Sequence, residues 1–314
     1  MLSDVEQERG EAARRGRVCV VLTHGFNGEP AEMRGLENRL RAEGFSTRNL
    51  LLPGHGTTLR EFAASGWEQW AGAIQAEARA ALARGERVVL VGHSMGASAC
   101  LLVAAREPEV AGVAALCPPL HMDVPSRYLV ARLRRVVTCF PAGMEDVRDR
   151  RGARRLYTRK VYRWTSLAAA HSLFQGLAEL RDALPSILCP TLIVCARHDH
   201  VVPVRDGLET YNGVGAEQKD LVVLERSFHA VTKDVERQFV LERVERFCQR
   251  VARDEPIGVA NAHAQGWLRH YELTKNRHLP VLHALFSRIW RKWLVNPLTL
   301  LVIYGILIFA AAKE

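Results

Sequence analysis

The sequence lacks the short motifs that bind the common cofactors. It has no glycine-rich phosphate loop ending in Gly-Lys-Ser/Thr, no HExxH zinc motif and no GxGxxG dinucleotide fingerprint. These absences argue against nucleotide-, zinc- and nicotinamide-dependent enzymes that use those motifs. We therefore expect a protein that works without a cofactor or a metal ion.

Cysteine is sparse and shows no pairing pattern. The seven cysteines form no CxxC pair, and their number is odd. Most stand singly inside apolar runs. This is typical of reduced, buried thiols in a protein that faces the cytosol and not of a disulfide framework. Residues 1–16 are polar and charged with no apolar stretch, so we expect a tail without a secretory signal.

Acidic residues are scarce in one internal segment. Positions 126–164 contain twelve Arg or Lys and three Asp or Glu, a difference that equals the whole net charge of +9. The segment carries no known nucleic-acid reader motif, so we expect no nucleic-acid partner. Two interpretations remain open: a basic surface facing anionic lipid, and a solvated helical face rich in arginine.

The longest uncharged run lies at positions 293–312. Its 20 residues match the length that spans a bilayer core. Trp290, Arg291 and Lys292 precede it, as at a membrane interface, and positive charge is concentrated on that side. We expect a C-terminal transmembrane anchor, with the rest of the chain on the cytoplasmic side of the membrane. A buried or dimer-forming helix in a soluble cytoplasmic protein is the alternative.

Strand-like and helix-like segments alternate through most of the chain. Short β-branched runs at 17–23, 87–91 and 191–196 are separated by longer stretches with helical spacing, which predicts βαβ units and a mostly parallel sheet flanked by helices. The alternation stops at about 121 and resumes at about 186. We expect this organisation: tail 1–16, α/β core 17–120 and 186–252, basic helical cap 121–185, connector 253–292 and anchor 293–312.

Ser94 stands in Gly92-His93-Ser94-Met95-Gly96, which fits G-x-S-x-G. A predicted strand precedes the motif and a predicted helix follows it, the setting of the nucleophile elbow of α/β-hydrolases. We expect Ser94 to be a nucleophile and His93 to be a packing residue.

A serine nucleophile needs a base and an acid that orients the base. In this fold the chain order is serine, acid, histidine. Of the twelve histidines, only His229 follows the last predicted strand and precedes the last core helix. Asp199 follows the strand at 191–196, whereas its rival Asp206 falls in the next predicted helix and is expected to face solvent. We predict Ser94, Asp199 and His229 as the catalytic residues.

The backbone N–H groups of Phe26 and Met95 are the predicted oxyanion-hole donors. Met95 follows the nucleophile, and Phe26 lies in the loop after the first strand, where this fold places its two donors.

The segments LTHGFNGEP, LPGHGT, VGHSMGA, CARHDHVVP and SFHAVTKD follow one another between about 18 and 247. In this order they resemble the bacterial carboxylesterases and monoacylglycerol lipases of the α/β-hydrolase superfamily. The resemblance implies the same triad and oxyanion amides, and a small lipophilic ester of medium or long acyl chain as substrate. The sequence departs from the family pattern at one position: Arg163 stands near the position of a glycerol-binding glutamate in the monoglyceride lipases.

Three functions are compatible with these residues. The first is a serine hydrolase of carboxylic esters, including monoacylglycerols or lysolipids. The second is a membrane-associated acyltransferase or thioesterase that uses the same acyl-enzyme. The third is a hydrolase-fold binding protein without catalysis. Leu167, Leu173, Phe174 and Leu177 of the cap either line an acyl tunnel or belong to the core.

Overall fold

A computed structural model describes residues 18–121, 130–133, 137–141, 146–151, 164–258 and 262–274. The chain divides into two compact units, residues 1–264 and residues 265–314. In the second unit the described residues, 265–274, are helical.

The strands and helices alternate as the sequence predicts. Their order is β1 (Val18–Thr23), α1 (Arg34–Ala42), β2 (Ser46–Leu50), α2 (Leu59–Ala64), α3 (Trp67–Ala83), β3 (Arg87–His93), α4 (Met95–Arg106), β4 (Gly112–Leu116), β5 (Cys139–Pro141), β6 (Trp164–Ser166), α5 (Leu167–Ala183), β7 (Thr191–Ala196), α6 (Val204–Gly213), β8 (Lys219–Leu224), α7 (Arg237–Arg253) and α8 (Ala262–Thr274).

The main sheet has the strand order β2-β1-β3-β4-β7-β8 among the described residues. Each of its neighbouring pairs is parallel, so the predicted parallel sheet is confirmed. Parallel strands joined by crossover helices are covered on both faces, and their sequences are continuously apolar. Strands β1 and β4 fit this rule, because all their residues are buried.

Helices cover both faces of the sheet. One buried cluster joins α1 and α7 to alternate residues of the strands, among them Val20 of β1 and Val89 of β3. The intervening residues, such as Val21 and Leu90, are equally buried and point to the other face, since side chains alternate along a strand. Helices α3 and α4 pack against each other and against β3 on that face.

The chain leaves the sheet between β4 and β7, where the sequence predicts the cap. Helix α5 packs against α2, α3 and α4, and a Cβ at Gly176 would overlap the ring of Trp67. Leu167, Leu173 and Leu177 are buried, which favours the core interpretation of these leucines.

The segment inserted between β4 and β7, the insertion, also contains a small antiparallel sheet of β5 and β6. The sequence pattern did not predict it, because three-residue strands are too short to show an alternation of period two.

Other expectations fall on residues outside the described ranges. Most of the basic segment 126–164, Arg163 and the anchor 293–312 lie there. Within the described ranges, no helix combines the length and the apolar character needed to cross a membrane.

Candidate active site

Ser94 occupies the sharp turn between β3 and α4. Its φ of 53° lies in the left-handed region, which is strained for a residue other than glycine. Gly92 and Gly96 make the turn possible. A Cβ at Gly92 would overlap the backbone of Gly96, and a Cβ at Gly96 would overlap the backbone carbonyl of His24.

The structure brings the three predicted catalytic side chains together in one hydrogen-bonded chain. The Ser94 hydroxyl lies 2.9 Å from His229 Nε2, and His229 Nδ1 lies 2.7 Å from Asp199 Oδ2. The residues come from the ends of β3, β7 and β8, which meet at the carboxyl edge of the sheet. This arrangement allows His229 to take the Ser94 proton while Asp199 holds the imidazole in the required tautomer.

Asp199 is built to stay ionised. Its side chain is only 1% exposed, and this burial alone opposes the charged form. The hydrogen bond and the charge of His229, together with the backbone N–H groups of Val201 and Val202 at 2.8 and 2.7 Å, outweigh it and lower the pKa of Asp199. An ionised acid can stabilise the imidazolium that forms during acyl transfer.

The loop after β1 runs close beside Ser94. A Cβ at Gly25 would lie 3.2 Å from Ser94 Cβ, so Gly25 permits the close approach. His24 fixes the loop: its Nε2 accepts from Leu52 N at 3.2 Å and its Nδ1 lies 2.9 Å from Gly25 O. Burial lowers the pKa of His24, and the neutral ring is the form that accepts the Leu52 bond.

Phe26 and Met95, the predicted oxyanion-hole residues, directly follow Gly25 and Ser94 in the chain. Met95 is the first residue of α4 and is fully buried. The Phe26 ring packs against Phe62 and Trp70, with centroids 5.2 and 5.9 Å away. The ring contacts hold the backbone of this loop in place, as a preformed donor requires.

The expectation that Asp206 faces solvent is wrong. Its side chain is buried and accepts from the backbone N–H groups of Leu120 and His121 at 2.8 and 2.9 Å. Although burial raises the pKa of Asp206, these two bonds satisfy the carboxylate where the insertion begins. Asp206 therefore anchors the insertion, and Asp199 is the acid that contacts His229.

Sequence reasoning did not predict the polar contacts of His93. It is buried and polar: Nδ1 contacts the Glu32 carboxylate, and Nε2 lies 2.9 Å from the backbone carbonyl of His229. The available signal was its position directly before Ser94, at the carboxyl end of the central strand β3. Sequence alone gives no reason to pair it with Glu32, which lies 61 positions earlier.

Cys117 is a second residue that the sequence did not single out. It follows β4 with a φ of 49°, and its ligand atom lies within 4.8 Å of those of Asp199 and His229. Burial, followed by the charge of Asp199, raises the pKa of Cys117 well above its ordinary value. His229 Nδ1 lies 2.7 Å from Asp199 Oδ2 and Nε2 lies 2.9 Å from the Ser94 hydroxyl, so both ring nitrogens are engaged in the Ser94–His229–Asp199 chain and neither is left to bind a metal ion.

Comparisons with known proteins identify a family and several relatives. Residues 14–236 match the protein family described as "Serine aminopeptidase, S33". A thermostable monoacylglycerol lipase of Bacillus sp. (strain H-257) is 25% identical over 235 residues, which are 74% of this chain and 90% of that protein. A carboxylesterase of Bacillus subtilis (strain 168) is 26% identical over 240 residues, 75% of this chain and 94% of the relative.

A solved structure from work on LipS and LipT, two metagenome-derived lipolytic enzymes, is also similar. It has a TM-score of 0.70 and 32% sequence identity, and the match covers 74% of this chain and 94% of that one. The family match, residues 14–236, includes β3, β7 and β8, the strands that precede Ser94, Asp199 and His229. The chain therefore belongs to the serine aminopeptidase S33 family, as an α/β-hydrolase whose named relatives are lipases and carboxylesterases.

Proposed function

We propose that this protein hydrolyses carboxylic esters through an acyl-enzyme formed on Ser94. The observation that carries the proposal is the continuous chain from Ser94 to His229 to Asp199, with the hydroxyl held on a strained turn. Named lipases and carboxylesterases among the relatives support the ester as the bond attacked.

In the proposed mechanism, His229 Nε2 removes the Ser94 proton as Oγ attacks the ester carbonyl carbon. The backbone N–H groups of Phe26 and Met95 stabilise the oxyanion of the tetrahedral intermediate. The alcohol then leaves with the proton from His229, and the acyl group remains on Ser94. Water, activated by the same imidazole, attacks the acyl-enzyme and releases the carboxylic acid.

The proposed substrates are small lipophilic esters with medium or long acyl chains. The lipolytic relatives support an apolar acyl group, and both residues proposed as oxyanion donors, Phe26 and Met95, have apolar side chains. Monoacylglycerols and lysolipids are included as candidates. Arg163, near the position of a glycerol-binding glutamate in the resembling lipases, weakens the case for a monoglyceride in particular.

We also propose that the segment 293–312 attaches the enzyme to the cytoplasmic face of a membrane, where such esters accumulate. The support is the run of 20 uncharged residues and the positive charges before it.

The direct test is hydrolysis of p-nitrophenyl esters, from acetyl to palmitoyl, by the full chain. Ser94→Ala is expected to lower kcat by at least ~10³-fold, since removal of a triad nucleophile has effects of this size or larger. Ser98→Ala is the matched control, because Ser98 lies in the first turn of α4 and its hydroxyl donates to Pro119 O at 2.6 Å and not to a triad side chain. Activity retained in Ser94→Ala would contradict the proposal.

A second measurement separates hydrolysis from acyl transfer. The full chain is incubated with a p-nitrophenyl ester and a long-chain alcohol, and the products are quantified. Free acid as the main product supports the hydrolase. An ester of the added alcohol as the main product assigns the same acyl-enzyme to a transferase.

A further inference from the structure

A second carboxylate–imidazole pair lies directly behind the proposed triad. His93 is the last residue of β3 and precedes Ser94 in the chain. Its Nδ1 contacts the carboxylate of Glu32, and its Nε2 donates to the backbone carbonyl of His229 at 2.9 Å. The two imidazoles, His93 and His229, lie side by side with centroids 4.9 Å apart.

Both partners of His93 are hydrogen-bond acceptors. A carboxylate and a carbonyl oxygen each require an N–H, so the ring has a proton on Nε2 and shares another with Glu32 at Nδ1. Burial opposes the charged ring, but the neighbouring Glu32 carboxylate raises the pKa of His93. The N–H that reaches His229 is thereby maintained.

Glu32 also contacts the loop that carries Phe26. Its Oε1 accepts from Gly25 N at 3.4 Å, and a Cβ at Gly28 would lie 2.6 Å from Oε2. The loop therefore wraps around the carboxylate, and one side chain links the proposed oxyanion loop to the ring that contacts His229.

The hydrogen bond from His93 to the backbone carbonyl of His229 affects the position of the His229 ring. Its ring is bonded to Ser94 and Asp199, but a ring follows its backbone when the loop shifts. His93 fixes that backbone through the carbonyl oxygen. A displacement of about 1 Å in catalytic geometry can reduce the rate ~10²-fold, so a fixed backbone matters to turnover more than to substrate binding.

We propose that His93 and Glu32 are positioning residues that hold His229, through its backbone carbonyl, in register with Ser94. The inference rests on the proposed function, because it assigns them a role in that reaction. A residue that only fills space would be replaced equally well by any polar side chain of similar size.

Two amide substitutions separate positioning from packing. In His93→Gln the amide nitrogen reaches the place of Nε2 and can still donate to His229 O. In His93→Asn the shorter side chain reaches only the place of Nδ1, beside Glu32. We expect kcat within ~3-fold of the wild type for Gln and a loss of ~10- to 100-fold for Asn, with KM changed less than ~3-fold in both. Equal kcat values in the two variants would overturn the proposal.

Glu32 supplies an independent pair of variants. Glu32→Gln can donate to a neutral Nδ1 and leave Nε2–H on His229, whereas Glu32→Leu removes the partner of Nδ1. We expect Glu32→Leu to lower kcat by ~10-fold or more and Glu32→Gln to retain most of it. The proposal is wrong for Glu32 if both variants have wild-type kcat, or if both lose it equally.

Crystal structures of the two His93 variants measure the distance between His229 and Ser94 directly and need no substrate. The Asn variant is expected to lose the 2.9 Å contact between His229 and Ser94, and the Gln variant to keep it. An unchanged contact in the Asn variant would refute the positioning role. If the contacts change as expected but the wild type shows no hydrolysis that depends on Ser94, only the proposed function fails.

Discussion

The backbone N–H of His229 donates to Asp146 Oδ2 at 3.2 Å. The same carboxylate accepts from the backbone N–H of His200 and contacts its ring Nδ1, at 3.0 and 2.9 Å. Asp146 belongs to the insertion, whereas His200 and His229 lie in the loops after β7 and β8. One side chain of the insertion therefore joins the loops of the proposed acid and the proposed base.

Substitution of Asp146 is expected to affect both stability and turnover. Asp146→Ala leaves two backbone N–H groups without their acceptor, and hydrogen bonds to a charged group contribute about 1.5–3 kcal/mol. We expect a loss of unfolding free energy in that range, measured by urea titration, and a kcat lowered by about 10-fold through a shifted His229. Asp182→Ala, at an exposed position of α5, is the control and should change neither. An Asp146→Ala variant that matches this control would refute the link.

The two aspartates considered for the acid can be separated by experiment. Asp199→Asn keeps the size of the side chain but cannot hold His229 in the required tautomer, and the equivalent change in a serine protease triad lowers kcat ~10⁴-fold. We expect Asp199→Asn to lower kcat by ~10³-fold or more without loss of folding.

Asp206→Asn is the matched variant. It perturbs the bonds to Leu120 and His121, so we expect lower stability and a kcat much closer to the wild type. A larger loss of kcat in Asp206→Asn than in Asp199→Asn would reverse the assignment.

His55 is expected to make the fold sensitive to acid. Burial lowers its pKa from 6.5 to about 3, so the folded protein keeps it neutral while the unfolded chain binds a proton. The stability is complete above about pH 6.5 and is lost as the pH falls toward 3. One such proton corresponds to about 1.4 kcal/mol of unfolding free energy per pH unit.

The measurement is the unfolding free energy of His55→Gln between about pH 4.5 and 5.5, compared with the wild type. We expect its slope against pH to fall by about 1.4 kcal/mol per unit. His198→Gln, at an exposed position, should leave the slope unchanged. A wild-type slope in His55→Gln would contradict the buried neutral state.

Gly176 of α5 is expected to resist substitution because it packs directly against Trp67 of α3. An Ala Cβ would overlap the Trp67 ring, and overpacking of this kind costs about 1–3 kcal/mol. Gly72→Ala is the control: it lies inside α3, and nothing surrounds its Cβ position within 4 Å. Helix propensity there favours Ala by about 1 kcal/mol. Thermal unfolding should show opposite signs for the two variants, and the same sign for both would argue against the packing of α5 on α3.

The proposed anchor can be tested by fractionation of the full chain. We expect it in the membrane fraction after a high-salt wash. The double variant Leu301→Arg and Leu307→Arg should be released, because an arginine near the centre of a spanning helix costs about 2.5–3.5 kcal/mol. Leu188→Arg, at an exposed position, should stay with the membrane. Full-length protein found wholly in the soluble fraction would refute the anchor.

The sequence alone was sufficient to place Ser94, Asp199 and His229 together. Each follows a buried strand of a parallel sheet, and the carboxyl ends of such strands share one edge. Local patterns, namely β-branched runs and the glycines around Ser94, therefore determined which loops meet. Local patterns did not predict β5 and β6, because strands of three residues are too short to show an alternation of apolar and polar side chains.

Only the tertiary structure decided how the loops hold one another. Glu32 and Asp146 lie 61 and 83 positions from the residues they contact, His93 and His229, and Asp206 turned inward to the start of the insertion. Such contacts depend on the packing of segments that are distant in the chain, and periodicity carries no information about them. The sequence specified the three side chains that are proposed to react, and the fold specified the groups that contact them from distant parts of the chain.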